Sequence, residues 1–238
     1  NYANHLYEVS GVLNDSLAYE LSTVTLGKEI RYTTDGTIPD ATSTLYERAI
    51  PFNQNLEINT TVFKDGKALG KMFKQELIYH KGVGATLTID KTPHSAYAGS
   101  GATGLINGIK GSDSRYGDSE WLGFWGEDLE IEIEFEEPIL ISEIELRFYN
   151  APGQWIYAPK QFSFYSRFES GALVADKILL KNEAQSSLVD FKYDFGKYNK
   201  SNKSKNIKFI IPNYGFIPEG KQGAGNKAWT FIDEIVIR

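Results

Sequence analysis

One run of eight residues limits this chain more than any other. From Leu129 to Glu136 it reads Leu-Glu-Ile-Glu-Ile-Glu-Phe-Glu. Successive side chains on a strand point to opposite faces. Period two therefore gathers Leu129, Ile131, Ile133 and Phe135 on one face and the glutamates on the other. The acidic row reads as the solvated face of a half-buried sheet. Pro138 is expected to close this strand, with another starting at Ile139 and running to Phe148. Further strands are expected over 29–33, 56–63, 68–79, 85–90, 161–168, 188–195, 207–211 and 230–238. Lys64-Asp65-Gly66-Lys67, between two apolar-patterned runs, predicts a tight hairpin.

Helical periodicity is poor, because Gly and Asn interrupt most windows that could carry it. Many short strands that do not alternate with helices mean an all-β chain of stacked sheets rather than an α/β fold. Lys81-Gly82-Val83-Gly84 is flexible and flanked by strand-like runs, so it is read as a domain boundary. The expected division is 1–82, a small sandwich, and 83–238, a larger sandwich with long loops. A chain of 238 residues, 41% hydrophobic, holds enough core material for both.

Composition excludes several classes. The net charge of −6 lacks the basic footprint a nucleic-acid backbone demands. No apolar run approaches the ~18 residues of a membrane-spanning helix, so no membrane insertion is expected. With no cysteine, thiol catalysis, disulfides and Cys-ligated zinc are all excluded. The chain begins at Asn1 rather than Met, and a processed or excised piece of a longer protein is expected.

Motifs for bond-breaking chemistry are weak. Asp233 and Glu234 are adjacent carboxylates, but they sit in a terminal strand, where neighbours face opposite ways and cannot converge on one bond. The histidines, His5, His80 and His94, lack ligand spacing and read as surface or loop residues. Gly220 to Asn226 is Gly-rich but follows no strand-and-helix phosphate cradle. Lys197, Lys200, Lys203, Lys205 and Lys208 read as a solvated basic loop. The aromatics are more telling. Trp121, Trp125, Trp155 and Trp229 all adjoin turn-like sequence. A loop tryptophan can offer its flat face to the C–H side of a sugar ring while Asn, Gln or Arg bind hydroxyls. The alternative for each is a cap on the core.

Residues 30–39, 43–46 and 60–67, with Asp35-Gly36 at their first turn, resemble the small fibronectin-III-associated sandwich found behind chitobiase and β-hexosaminidase catalytic barrels. The second part resembles the discoidin, or coagulation-factor C-type, domain, a galactose-binding-like jelly roll. The matching pieces are Leu105 to Gly108, Trp121 to Phe124, Asp128 to Ile131, Trp155 to Pro159, Phe164 to Ser166 and Trp229 to Ile237. The Trp155-Ile-x-x-Pro piece, with Asn213-Tyr214-Gly215 and Gly223-Ala224-Gly225, is similar to C-terminal domains of Bacteroidetes family-twenty β-N-acetylhexosaminidases.

That resemblance implies an Ig/fibronectin-III-like sandwich followed by a jelly roll, with no active site of their own. It implies a structural Ca²⁺ held by the side chains of Asn107 and Glu234 and by backbone carbonyls near Gly104, Ile109, Ser112 and Asp233. Asn107 stands where an acid is common, which weakens such a site; the alternative is an Asn turn with Glu234 hydrogen-bonded to that loop. No organic cofactor is expected. Glycans of galactose or N-acetylhexosamine type are the implied partners, with Arg115, Tyr116, Trp155, Asn213 and Tyr214 as the binding residues. The N-terminal catalytic domain of a parent β-N-acetylhexosaminidase is the other implied partner. The expected location is exported: periplasmic, outer-membrane-associated or secreted. The competing class is a structural or protein-interaction module that buttresses the catalytic domain without binding sugar.

Overall fold

The computed structural model describes residues 7–25, 27–168, 173–179, 187–195 and 203–238. It is all-β, with antiparallel sheets joined by loops and short 3-10 turns. The chain divides into two compact units, 1–79 and 80–238. No helix among the described residues is long and apolar enough to cross a membrane.

The first unit contains β1 (Val9–Leu13), β2 (Ala18–Thr23), β3 (Glu29–Thr33), β4 (Thr44–Leu45), β5 (Ile50–Pro51), β6 (Leu56–Lys64) and β7 (Lys67–Leu77). They form a three-stranded sheet, β1-β2-β5, and a four-stranded sheet, β4-β3-β6-β7. Tyr19, Leu21, Ile30, Phe52, Ile58 and Val62 are among its buried residues. The predicted hairpin joins β6 to β7. Asp65 (φ 50°) and Gly66 (φ 73°) are both left-handed, which matches the turn to the right-handed twist of the strands. Gly11 on β1 leaves room for Tyr19, because a Cβ there would lie 2.4 Å from the ring.

The second unit contains β8 (Thr86–Ile89), β9 (Leu122–Trp125), β10 (Leu129–Leu140), β11 (Glu143–Tyr149), β12 (Gln161–Arg167), β13 (Leu173–Leu179), β14 (Leu188–Asp194), β15 (Lys203–Ile211) and β16 (Trp229–Ile237). The orders are β13-β12-β15-β10-β8 and β14-β11-β16-β9, so neighbours in space are mostly not neighbours in sequence. This is a jelly-roll-like sandwich. Leu129, Ile131, Ile133 and Phe135 of β10 join one core with Leu146 and Phe148 of β11 and Ile232, Ile235 and Ile237 of β16. Each such buried side chain stabilises by roughly 1.5–3 kcal/mol. The glutamates of β10 face outward, as period two requires.

Two expectations are corrected here. Pro138 does not end β10, which continues to Leu140 through a register irregularity between Glu134 and Ile139. A proline, lacking the N–H, is tolerated where pairing is interrupted. Lys203, Lys205 and Lys208 lie on β15 rather than in a loop. Lys197 and Lys200 fall outside the described residues, as does His5.

The irregularity that matters most is in β16. Ile232 pairs with Phe148 and Ile235 with Leu146, so Asp233 and Glu234 together oppose the single residue Arg147. This β-bulge places the extra residue on the same side as its neighbour. Period two alone put the two carboxylates on opposite faces, but the bulge turns both toward the loop that follows Ile106.

Candidate functional site

The outer face of β11 and β16 is polar, yet it is buried, because the segment 102–121 folds over it. Glu145, Arg147, Asp233 and Glu234 are all almost without solvent contact. Burial of so many charges is costly unless each is paired and hydrogen-bonded. Glu234 Oε1 accepts from the Gly108 N–H (3.1 Å) and bonds His80 Nε2 (2.7 Å). Asp233 Oδ2 accepts from the Gly111 N–H (2.8 Å) and faces Arg147 (3.2 Å). Arg147 also donates to the Gly111 carbonyl (2.9 Å) and lies over the Trp121 ring at 5.3 Å. Lys110 reaches Glu145 at 2.8 Å. The loop is thereby stapled to the sheet.

The titration of these groups follows from burial. Desolvation pushes the Asp233 carboxyl up to about 7 against the pull of Arg147, and raises Glu234 well above the usual carboxylate range. Burial opposes ionisation of Glu145 too, but hydrogen bonds and attraction from Lys110 and Lys192 hold it at about 2. Burial lowers His80 to about 4, so the ring is neutral at pH 7. Its Nδ1 accepts the N–H groups of Gly82 (3.1 Å) and Ile237 (3.3 Å). The remaining proton is therefore on Nε2 and points at Glu234. His80 was expected at the surface; it is a core residue, held by groups distant in sequence.

The residues expected to hold Ca²⁺ do gather here, but the side-chain oxygens of Asn107 and Asp233 and one of Glu234 already accept N–H donors. Asn107 Oδ1 accepts the Ile109 N–H (2.7 Å), while its Nδ2 donates to Glu120. The Ser112 carbonyl accepts the Trp121 indole N–H (3.1 Å). Gly104 lies in the 3-10 turn Ala102–Ile106, its N–H bonded to Gly101. Asp233 Oδ1 accepts the Glu234 N–H (2.7 Å). Of the side-chain oxygens in this set, Glu234 Oε2 alone is buried without a partner. Ca²⁺ takes about six to eight oxygens. The set present, rich in N–H donors and cations, does not fit it.

A second feature lies at the start of β16. The four tryptophans separate. Trp121 is buried, Trp155 and Trp229 are half-buried, and Trp125 is 54% exposed. Trp125 and Trp229 pair across β9 and β16, and their rings stack at 6.1 Å and 24°. The Trp125 indole N–H donates to the Lys227 carbonyl (3.1 Å), which sets the plane of the ring. Trp229 is met edge-on by His94 (5.2 Å) and Tyr97 (5.4 Å), and Tyr97 continues to Tyr116 (6.1 Å). His94 Nδ1 accepts the Ala96 N–H, which leaves Nε2 as the outward nitrogen of an exposed ring. Gly123, on β9 opposite Phe231, admits this packing, since a Cβ there would stand 2.7 Å from Phe231 and 2.8 Å from Tyr97.

The residues expected to bind sugar divide. Tyr116 belongs to the aromatic row, and Arg115 beside it is exposed. Trp155, Asn213 and Tyr214 serve the loop 213–228 instead. Asn213 spends its amide on the Ala228 carbonyl, Thr230 and the Gly215 N–H. Tyr214 is covered by Tyr157 and by Lys160, whose Nζ sits 4.1 Å from the ring centroid. Trp155, left-handed at φ 64°, lays its indole where a Gly223 Cβ would be. A non-glycine residue held there costs about 1–3 kcal/mol, which this packing must offset. These three side chains are thus committed within the protein. At the start of β16, Trp125 and His94 are exposed and Tyr97 is half-buried beside them. Only Trp125, beside Gly123 and Gly126, had a sequence signal.

Comparison with curated proteins returns no match. Among solved structures, the chain is similar to the lectin domain of lectinolysin complexed with Lewis B antigen, at 13% identity and TM-score 0.41, over 67% of this chain and 96% of that one. It is similar to a module described as GH31 CBM32-2 bound to GalNAc, at 14% identity and TM-score 0.40, over 64% and 97%. It is also similar to the family 32 carbohydrate-binding module of EndoD from Streptococcus pneumoniae, at 11% identity and TM-score 0.40, over 67% and 99%. Residues 9–74, within the first unit, match the family model of the chitobiase/beta-hexosaminidase C-terminal domain.

Proposed function

We propose that this chain is a non-catalytic accessory region of an exported glycoside hydrolase of β-N-acetylhexosaminidase type, and that its second unit holds glycans weakly on the aromatic row that ends in Trp125. The carrying observation is the Trp125 ring: more than half exposed, stacked on Trp229, and fixed by its indole hydrogen bond. A large apolar surface is normally hidden, and one held open and rigid forfeits little entropy when a sugar ring covers it. Arg115, Tyr116 and the outward His94 nitrogen supply polar contacts near the row. The match of residues 9–74 supports the accessory reading.

Covering about 100 Å² of apolar area contributes roughly 2.5 kcal/mol before the cost of association. One sugar then binds at roughly millimolar to high-micromolar strength, enough to raise local substrate concentration for a tethered enzyme. Affinity electrophoresis and glycan arrays on the whole chain test this. Retention by galactose- or N-acetylhexosamine-bearing glycans, reduced at least tenfold by Trp125→Ala, is the expected result. No retention at millimolar sensitivity, or retention indifferent to Trp125, defeats the reading and favours a buttress for the catalytic domain.

A further inference from the structure

We infer that the second unit closes its 104–112 loop onto β16 without a metal ion, using the His80 ring and backbone N–H groups where a cation site would present oxygens. Four groups of contacts carry this. Glu234 Oε1 already receives two donors, from His80 and Gly108. Asp233 receives the Gly111 and Glu234 N–H groups on its two oxygens and faces Arg147. Asn107 Oδ1 and the Ser112 carbonyl are each taken by a donor of the same segment. Positive charge is supplied by Lys110 and Arg147, the former bonded to Glu145. A divalent cation entering this space would have to displace N–H donors and sit beside two fixed cations.

His80 is central, because its side chain has no solvent exposure and its two nitrogens join three places: the Gly82 and Ile237 backbone on one side and Glu234 on the other. It is a positioning residue for the loop, not a metal ligand. The geometry requires the Nε2–H tautomer, since Nδ1 is occupied as an acceptor. This requirement is specific and observable.

The test uses the full 238-residue chain. Calcium titration by calorimetry to millimolar concentration, with melting curves in 1 mM CaCl₂ and in EDTA, is expected to give no saturable heat and superimposable transitions (~1 mM exceeds the Kd of most Ca²⁺ sites). Two-bond ¹H–¹⁵N correlation spectra are expected to show His80 as the neutral Nε2–H tautomer, unmoved by calcium. His80→Ala is expected to lower the melting temperature by about 2–12 °C equally with and without calcium. Saturable calcium binding with a rise in melting temperature, or a calcium-dependent change in the His80 spectrum, overturns the inference. Those two measurements on the unmodified chain stand even where the variant does not fold.

Discussion

Trp125 and His80 show how far residue type underdetermines role. One is a large apolar ring left in solvent, the other a polar ring with none. Each is positioned by backbone groups: the Lys227 carbonyl for Trp125, the Gly82 and Ile237 N–H groups for His80. His80 carries a pH prediction. Its folded pKa, near 4, lies below its ordinary value of 6.5. The unfolded chain therefore binds more protons between those values, and the stability His80 contributes is complete above pH 6.5 and lost as pH falls toward 4. Asp233 and Glu234, raised by burial, act with the opposite sign over the same range. A site-specific probe separates them. The His80 Cε1–H resonance should stay flat from pH 8 to about 5 and begin to move only below that; a midpoint near 6.5 would contradict the buried neutral ring.

At the scale of elements, the β16 bulge and the close β9–β16 pairing decide the site. Strand β9 lies flat against β16 only because Gly123 has no side chain between Phe231 and Tyr97. Gly123→Ala would force those rings apart, an overpacking cost of about 1–3 kcal/mol. The expected outcome is a stable but less stable fold with weakened glycan retention, because Tyr97 supports Trp229. Denaturation midpoints paired with affinity electrophoresis check both parts. Retention unchanged alongside the stability loss would detach the aromatic row from binding. The existence of β3, β6, β10 and β12 was legible from period-two patterning. β9 was not, because Leu-Gly-Phe-Trp is too short and its first three residues are all buried, so no alternation shows. The bulge was not legible either, since it depends on the register that β11 imposes.

For the molecule as a whole, the two units carry separate cores, and the division falls between Tyr79 and His80. Flexibility in the sequence placed the boundary at Gly82–Val83, but His80 and Lys81 already belong to the second unit. Lys81 donates its N–H to Ile237 (2.8 Å) and its ammonium to the Leu140 carbonyl (2.6 Å). A fragment starting at His80 is expected to fold. One starting at Gly84 leaves the Glu234 carboxyl without its ring partner, at about 1–3 kcal/mol. For a unit of this size that is roughly 2–12 °C in melting temperature. Calorimetry on the two fragments decides it; equal melting temperatures would mean that His80 is a passenger.

What the sequence determined alone is the class of fold, the strands with clean alternation, the tight turn at Asp65-Gly66 and the shortage of bond-breaking motifs. These are local consequences of side-chain period, glycine freedom and composition. Tertiary structure alone decided which tryptophan faces water, why Asn213 and Tyr214 are committed within the protein, and how two adjacent carboxylates come to share one face. Each of those depends on partners distant in the chain, whose N–H groups, carbonyls and rings meet only once the sheets have stacked and the strands have settled into register.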